Sequence, residues 1–516
     1  MDGAVMAGSR SIAFEDLRRK SIQRKASSIA DESVEGKVGS KIGDFVAGIF
    51  AANSLTGIGV LTVPYAFQQA GWLLGVVTLL VCMLMAYITG TYIIEAEAIV
   101  NAIHYADSVG TLAEDLLPRL KSECEAKDAN PDEAVHLFQK ASVKGNSTSA
   151  FKIRDRVEVG AIGEKLLVHS KLSSKLIYLS IVLFIYGSLS AFVVTVNTSL
   201  ANTIATGWGR YGPESAAQLD PDHLYPFCLV ASFVLAFLLC LGDLQKTKKF
   251  TVMVMIIRFI AMSIMFVAAM QALARAEEAA HMDFSTAAED LKTWDASGLG
   301  AIFGNSVYVF TLHHALPSMI APLEHQGEAP QVLFCSFTVV VMLMVLLSVT
   351  AMLAFGEDVR SFYNLNFAHM SWFFGIVGLF IVAYPTFAIS TIPTNAITLR
   401  NTLQRLLHAP PTDPDQPLTF WNLLLTALVL LPPFTVAFIT RDIQVLIKCV
   451  GGYFGLTVSY ALPLVLVIFG RRRLVEIVEK SNFDWGALKS PFGNTFMYMI
   501  VASFYLLALI RQMFFS

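Results

Sequence analysis

An apolar stretch near the N-terminus carries two glycines that a continuous helix would disfavour. It reads NSLTGIGVLTVPYAF at residues 53–67, and the glycines are Gly57 and Gly59. Because glycine has no Cβ atom, a ligand can approach its backbone amide closely. A helix that begins again at such a break offers unpaired amides to an anion. The pattern therefore indicates a site where backbone groups bind a carboxylate, and close packing between helices is the alternative use of such glycines.

A second interruption combines a glycine, two histidines and a proline. It reads FGNSVYVFTLHHALPSMIAPL and contains Gly304, His313, His314 and Pro317. Unwound carbonyls at such a break receive a cation or an ammonium group, so the two breaks together suit a zwitterion. An imidazole here would relay a proton, and a neutral histidine held by unwound backbone is the alternative. Adjacent histidines lack the H-E-x-x-H spacing, so no metal site is predicted.

The composition places both breaks in a membrane protein. The chain has 516 residues, of which 55% are hydrophobic and 15% charged, and its mean hydropathy is +0.59. A spanning helix needs about 20 apolar residues, and this criterion predicts about eleven transmembrane segments in an all-α membrane protein. The predicted segments are 43–69, 72–99, 175–205, 224–242, 250–273, 298–322, 331–355, 371–399, 418–439, 443–470 and 493–514.

The two breaks lie in the first and the sixth predicted segments. This spacing is what two inverted five-helix repeats produce when each repeat begins with a broken helix. Lipid supplies no hydrogen bonds, so a helix unwinds only where protein or a water-filled cavity satisfies the freed backbone. The pattern predicts a site for a substrate and a coupling ion near the middle of the bilayer.

Several stretches also carry a family resemblance. NSLTGIGVLTVPYAFQQAGWLLG resembles the first-segment signature of the amino acid/auxin permease family, within the amino acid/polyamine/organocation superfamily. Other stretches resemble the same family: GAIGEKLLVHSKLSSKLIYLSIVLFIYGSLSAF, YVFTLHHALP, AYPTFAISTIP and RDIQVLIKCVGGYFGLTVSYALP. The resemblance implies eleven helices in a LeuT-like 5+5 inverted repeat with discontinuous helices 1 and 6.

The resemblance also suggests which residues contact the substrate and the ion. Phe192 falls where relatives often have a tyrosine, and Asn53 matches an asparagine that helps to bind sodium in sodium-coupled relatives. In segment eight, relatives tend to show Pro-x-Arg followed by a hydroxyl residue. Here Pro393 is followed by Thr-Asn-Ala, which departs from that pattern. The coupling ion is therefore either a proton or sodium. The predicted substrate-binding residues are Thr56, Gly57, Ile58, Gly59, Phe192, Phe310 and Tyr384. The predicted ion-coupling residues are Asn53, His313, Thr391 and Thr394. For the two threonines, a hydroxyl that bonds to the backbone of its own helix is the alternative.

Arg258 is the most costly side chain inside a predicted span. It lies nine residues after Lys249, or about 13 Å along a helix. Its charge either snorkels toward the cytoplasm or pairs inside the bundle, and we expect the interior. Glu95 and Glu97, at the inner end of segment two, are the candidate partners.

Basic residues predict the orientation, because positively charged loops resist translocation. Lys and Arg are concentrated in the N-terminal tail, in KTKK at 246–249, at Arg400 and Arg405, and at 471–473, whereas 274–298 is acidic. We therefore expect a cytoplasmic N-terminus. The predicted regions are a disordered cytoplasmic tail (1–42) and a transporter domain (43–515) that includes a cytoplasmic insertion between helices 2 and 3 (101–173).

These features predict a secondary active transporter that moves amino acids by alternating access, coupled to a proton or sodium gradient. Its expected location is the plasma membrane or a vacuolar or lysosomal membrane. The alternative is an amino-acid-binding membrane sensor that signals through its cytoplasmic regions.

Other classes of function lack their signatures. The net charge is −3, and the sequence has no concentration of basic residues of the kind that nucleic-acid binding needs. No cofactor is expected. A carrier of polyamines or organic cations would need acidic residues at the centres of segments one and six, and there are none. An intramembrane enzyme is the least favoured class, because the sequence contains no P-loop, G-x-S-x-G or H-E-x-x-H motif and no pair of carboxylates inside the predicted spans.

Overall fold

The structure is a computed structural model, and it describes most of the chain. The described residues are 41–125, 151–168, 171–213, 218–241, 248–280, 291–407, 419–478 and 488–515. Nearly all of the predicted tail and part of the predicted insertion (126–150) lie outside these residues. The helices are α1 (Asp44–Thr56), α2 (Gly59–Ala70), α3 (Trp72–Glu125), α4 (Val159–Leu166), α5 (Lys171–Tyr211), α6 (Pro221–Leu241), α7 (Lys248–Ala280), α8 (Leu299–Phe310), α9 (Leu316–Ile320), α10 (Ala329–Phe355), α11 (Ile376–Ala383), α12 (Thr391–Leu407), α13 (Phe420–Ile439), α14 (Ile443–Cys449), α15 (Leu462–Val478) and α16 (Thr495–Phe515).

Most of the described chain is helical, in agreement with the predicted all-α class. Within these residues nine helices are long and apolar enough to cross a membrane, and the bent pair α1 and α2 provides a tenth span. The predicted sixth segment is divided between α8 and α9, whose 12 and 5 residues are each too few to span alone. Ten of the eleven predicted segments thus correspond to spans, and the eleventh, the sixth in chain order, is divided between the two short helices α8 and α9.

The first break separates α1 from α2 at Gly57 and Ile58. Gly57 has a φ of +21° and a ψ of −123°, a backbone conformation that residues with a side chain rarely adopt. The two helices are bent by 53° at this point. The last carbonyls of α1 and the first amides of α2 therefore meet at one place, which is the discontinuous helix 1 that the sequence predicts.

The second break runs from Thr311 to Ala315, between α8 and α9. Its backbone bonds are short in range: the Leu312 amide donates to the Phe310 carbonyl at 3.0 Å, and the Ala315 amide donates to the Leu312 carbonyl at 2.9 Å. Pro317 lies in the first turn of α9, where the missing amide hydrogen costs no helical bond. The structure therefore confirms the discontinuous helix 6.

The two broken segments pack together and are tied at one end. α2 lies along α8, and a Cβ atom added at Gly59 would overlap the side chain of Val309. Farther along, the Ile42 amide donates to the Pro322 carbonyl at 2.9 Å, and the Glu324 amide donates to the Ile42 carbonyl at 3.0 Å. This bridge joins the chain that enters α1 to the chain that leaves α9.

Two other segments depart from regular α-helix. A 3₁₀ stretch, Tyr384–Ser390, joins α11 to α12, and π-helical turns at Val450–Gly455 and Thr457–Ala461 join α14 to α15. Gly451 lies so near α8 that an added Cβ atom would overlap the Gly304 carbonyl oxygen. Small residues thus allow the backbones of these two segments to approach closely.

The described part of the predicted insertion is bonded to the bundle. α3 has 54 residues and extends well into the insertion. The Asn101 side-chain oxygen accepts hydrogen bonds from the Arg154 and Asp155 amides, both at 2.9 Å. The Gln326 side chain donates to the Ile153 carbonyl at 2.7 Å and accepts from its amide at 2.9 Å. These bonds fix the chain before α4 against α3 and the start of α10.

Candidate functional site

A cavity of about 260 Å³ lies beside both breaks. A smaller pocket of about 20 Å³ adjoins it and shares Gly57, Ile58, Phe192 and Arg258 with it. One water molecule needs roughly 10–15 Å³ of such space, so the larger cavity has room for a small organic molecule. Its walls come from α1, α5, α7, α8, α12 and the two breaks.

Two of the four predicted residues at the first break reach the cavity. Gly57 and Ile58 line it. Thr56 is fully buried and its hydroxyl donates to the Asn53 carbonyl at 3.1 Å, while Gly59 packs against α8 instead. No side chain caps the N-terminus of α2. The Leu61 amide donates to the Ile58 carbonyl at 2.9 Å, while the amides of Gly59 and Val60 precede the first bond within the helix. The break presents the positive end of α2 to the cavity.

Arg258 extends from α7 to the cavity wall and is 7% exposed. Its Nη1 donates to the carbonyl oxygen and to the side-chain oxygen of Asn53, at 2.8 and 2.9 Å. Asn53 lies in the last turn of α1, so the guanidinium sits at the negative end of that helix. The side chain is interior, as expected, but the suggested partners were wrong: Glu95 binds Arg471 instead, and Glu97 forms no ion pair with it.

The predicted ion-coupling residues are only partly brought together. Asn53, Thr391 and Thr394 line the cavity. The Thr391 hydroxyl, however, donates to the Ala388 carbonyl three residues earlier, at 2.6 Å. Both oxygens of Asn53 accept hydrogen bonds from Arg258, so a guanidinium uses the hard oxygen ligands that a sodium ion would need.

The three predicted aromatic residues have different positions. Phe192 lines the larger cavity, and Tyr384 lines the smaller pocket beside it. Phe310 does not reach either space, because it is fully buried and its ring packs against Phe337 with centroids 5.4 Å apart. The last side chain of α8 therefore points toward α10 and away from the break.

The two adjacent histidines face different surroundings. His313, the residue predicted to couple ions, is fully buried against α3, and its Nε2 lies 3.1 Å from the Ala86 carbonyl and 3.0 Å from the Thr89 hydroxyl. His314 lines the cavity, with its ring centroid 5.2 Å from that of Phe184. The predicted ion-coupling histidine is thus a packing residue here, and its neighbour reaches the cavity.

Sequence reasoning missed several polar residues on the cavity wall. They are Ser188, Tyr308, Thr311 and Asn395. One signal was available for Ser188, because it precedes Phe192 by four residues in α5 and helical periodicity places both on one face. Thr311 lies in the second break, whereas Tyr308 in α8 and Asn395 in α12 belong to regular helices that pack around the cavity.

The cavity carries a net positive charge. Among the described residues that line it, Arg258 is the one Lys, Arg, Asp or Glu side chain. The N-terminal end of α2 adds a partial positive charge. Such a cavity attracts anionic groups and disfavours polyamines and organic cations.

The cavity is closed on the side away from α1. There Gln444 Nε2 donates to the Thr62 and Ser361 carbonyls at 3.2 and 3.3 Å, and Gln444 Oε1 accepts from Asn305 at 3.0 Å. These bonds join α2, α8, α14 and the chain that follows α10. On the opposite side, Ser54 of α1 both lines the cavity and is exposed. The cavity therefore opens toward the α1 side.

A second arginine lies away from the cavity in a cluster with Glu95 and Ser490. Arg471 donates to the two carboxylate oxygens of Glu95 at 2.6 and 2.8 Å, and the Ser490 amide donates to the same carboxylate at 2.9 Å. Arg471 also donates to the Gly493 carbonyl. In this cluster, which we call the Glu95–Arg471 pair, both charges are balanced.

Comparisons with known proteins identify the family. A family described as transmembrane amino acid transporter protein matches residues 41–473. Human Transmembrane protein 104 is 30% identical over 491 residues, covering 89% of this chain and 93% of that protein. The Transmembrane protein 104 homolog of Dictyostelium discoideum is 26% identical over 499 residues, covering 90% and 95%.

A solved structure shares the fold. MhsT in complex with L-phenylalanine matches with a TM-score of 0.52 and 12% sequence identity, covering 92% of this chain and all of that one (100%). At this identity the likeness concerns the fold alone, and it confirms the LeuT-like arrangement that the sequence predicts. The matched family consists of transporters and not of enzymes. The chain therefore belongs to the transmembrane amino acid transporter family.

Proposed function

We propose that this protein is a secondary active transporter that carries amino acids across a membrane by alternating access, coupled to an ion gradient. The observation that carries the proposal is the cavity between the two helix breaks, with Gly57 and Ile58 on its wall. Family membership supports amino acids as substrates. The likeness to MhsT, crystallised with L-phenylalanine, supports the same architecture for binding.

The two helix ends supply opposite partial charges for a zwitterion. The first amides of α2 donate to the α-carboxylate of the substrate. The carbonyls in the last turn of α8 accept hydrogen bonds from its ammonium group, and Val309 and Thr311 of this region line the cavity. Phe184 and Phe192 give the substrate side chain an apolar wall.

Alternating access requires the Gln444 contacts to open while the α1 side closes. Three hydrogen bonds hold this closed end, and each contributes about 1 kcal/mol net. A difference of about 3 kcal/mol lies within the range that binding of substrate and ion offsets, provided that they bind one state better than the other. The two breaks allow the helices on either side to tilt separately.

We propose a proton, and not sodium, as the coupling ion. Arg258 already donates to both oxygens of Asn53, so a sodium ion there would face a fixed positive charge. His314 lines the cavity, and histidine is the side chain whose charge changes in the physiological pH range. It is therefore the candidate for proton exchange with the substrate site.

We also propose that the N-terminus and the open side of the cavity face the cytoplasm. Basic residues collect at that end of the bundle: Arg405 lies 3.8 Å from Glu158, and Arg471 binds Glu95. Positive charge favours the cytoplasmic side. In this orientation the structure is inward-facing, in a plasma membrane or a vacuolar or lysosomal membrane.

Uptake into proteoliposomes tests the function. The purified protein is given a labelled amino-acid mixture with an imposed proton gradient, with a sodium gradient and with neither. We expect accumulation under the proton gradient and its loss in Gly57→Val, because a side chain at that φ is strained and would cover the break.

Gly209→Val is the matched control, since an added Cβ atom at Gly209 meets no atom within 4 Å. It should transport like the parent protein. Accumulation driven by sodium alone would overturn the proposed coupling ion. Amino-acid binding without gradient-dependent uptake would overturn transport and favour a sensor.

A further inference from the structure

Within the part of the chain that the structure describes, no acidic group balances the positive charge of Arg258. In the described chain its side-chain hydrogen bonds both leave from Nη1 and both end on Asn53, which is neutral. No Asp or Glu among the described residues lines the cavity or its adjoining pocket. A buried charge without a counter-charge is costly. A zwitterionic amino acid has no net charge, so it would leave this imbalance in place.

We propose that the cavity selects amino acids whose side chain is a carboxylate, the aspartate and glutamate class. The inference rests on the proposed transport function and specifies its substrate. One carboxylate binds at the amides of α2 and the second binds Arg258, and both positions border Gly57. The ammonium group binds the carbonyl end of α8. With this ligand the charge of the occupied cavity is balanced.

The geometry of the guanidinium suits this role. An arginine side chain has five N–H donors in a planar arrangement that matches a carboxylate with two parallel hydrogen bonds. Asn53 uses Nη1 alone, which fixes the orientation of the group and leaves the hydrogens on its other nitrogens for a ligand. Phe192 and Tyr384 border the same pocket and limit the water that would compete for those hydrogens.

A simpler role for Arg258 makes a different prediction. If the guanidinium only caps the C-terminal end of α1, its charge contributes nothing to substrate selection. Glutamate and glutamine would then bind equally well, because they have nearly the same size and shape. The two amino acids differ in the charge of the side chain, and this comparison therefore isolates the contribution of Arg258.

Equilibrium binding to the purified full-length protein tests the proposal, with L-glutamate, L-glutamine and L-lysine as probes. We expect glutamate to bind at least about tenfold more tightly than glutamine, as a hydrogen bond between charged partners provides, and lysine to bind most weakly. Arg258→Gln should remove the difference between glutamate and glutamine. The matched control is Arg360→Gln, at an exposed arginine outside the cavity, and it should keep the preference.

The outcomes separate this proposal from the transport function. Glutamine binding as tightly as glutamate to the parent protein would overturn acidic selection while leaving amino-acid transport intact. A preference for glutamate that persists in folded Arg258→Gln would overturn the role of Arg258. If the protein neither binds nor takes up any amino acid, the proposed transport function itself is overturned. If Arg258→Gln does not fold, the comparison of glutamate and glutamine binding to the parent protein still tests whether the cavity selects acidic amino acids.

Discussion

Two arginines show how one type of side chain serves different purposes in this protein. Arg471 donates to both oxygens of Glu95, so its charge is balanced within the fold. Arg258 donates to neutral Asn53 and borders the cavity, so its charge stays available to a ligand. Burial of a charged residue therefore does not by itself mark a functional site. The absence of a counter-charge among the described cavity residues is the informative feature.

The largest expected effect comes from breaking the balanced pair. Arg471→Met leaves the Glu95 carboxylate, whose side chain is 1% exposed, without its cation. Removing one partner of a buried pair costs about 3–5 kcal/mol, and we expect the lower end because the Arg471 side chain is 23% exposed. The free energy of unfolding of the purified protein, measured in detergent with denaturant, checks this prediction.

Two control variants sharpen the contrast. Arg472→Met changes the next, exposed arginine and should alter the free energy of unfolding by less than about 0.5 kcal/mol. Arg258→Gln should also cost less stability than Arg471→Met, because no acidic partner is left unpaired. If Arg258→Gln proves the more destabilising of the two, the division between a structural and a binding arginine is wrong.

A smaller effect separates the two histidines in the same way. His313→Gln removes contacts with the Ala86 carbonyl and the Thr89 hydroxyl, and we expect it to lower the free energy of unfolding by about 1–2 kcal/mol. His314→Gln should leave stability unchanged within about 0.5 kcal/mol, because the side chain faces the cavity. It should lower proton-driven uptake to the level measured without a gradient, because the variant lacks the group that we propose exchanges the proton.

Parallel unfolding and uptake measurements on both histidine variants check this prediction. We expect the stability loss in His313→Gln and the uptake loss in His314→Gln. The reverse assignment would mean that the second break presents the other histidine to the substrate.

The smallest expected effect is that of sodium. Replacing sodium by potassium at constant ionic strength should leave the initial uptake rate unchanged. The guanidinium of Arg258 donates hydrogen bonds to both oxygens of Asn53, so these oxygens are not free to bind sodium. Uptake by proteoliposomes in the two salts, under the same proton gradient, measures it. A strict requirement for sodium would show that a cation site exists elsewhere or that Arg258 moves away from Asn53.

The positions of the two helix breaks could be predicted from the sequence, but the side-chain contacts around them could not. Gly57 and Pro317 interrupt apolar runs locally, so the positions of both breaks could be predicted from short stretches. Arg258 finds its partner 205 residues earlier in the chain, and nothing in the sequence near either residue indicates that contact. The choice between His313 and His314, and the inward turn of Phe310, depend on how an irregular backbone rotates against its neighbours.

Thiol protection tests the central claim that the amino acid binds in the cavity beside the breaks. Thr394→Cys, at an exposed residue on the cavity wall, is made in a background whose native cysteines are replaced by serine. The amino acid that the uptake experiment identifies as the substrate should slow the modification of this cysteine by a thiol reagent. It should not slow modification of Thr398→Cys, one turn farther along α12 and outside the cavity lining. Equal rates at Thr394→Cys with and without saturating substrate would show that the amino acid does not bind in this cavity.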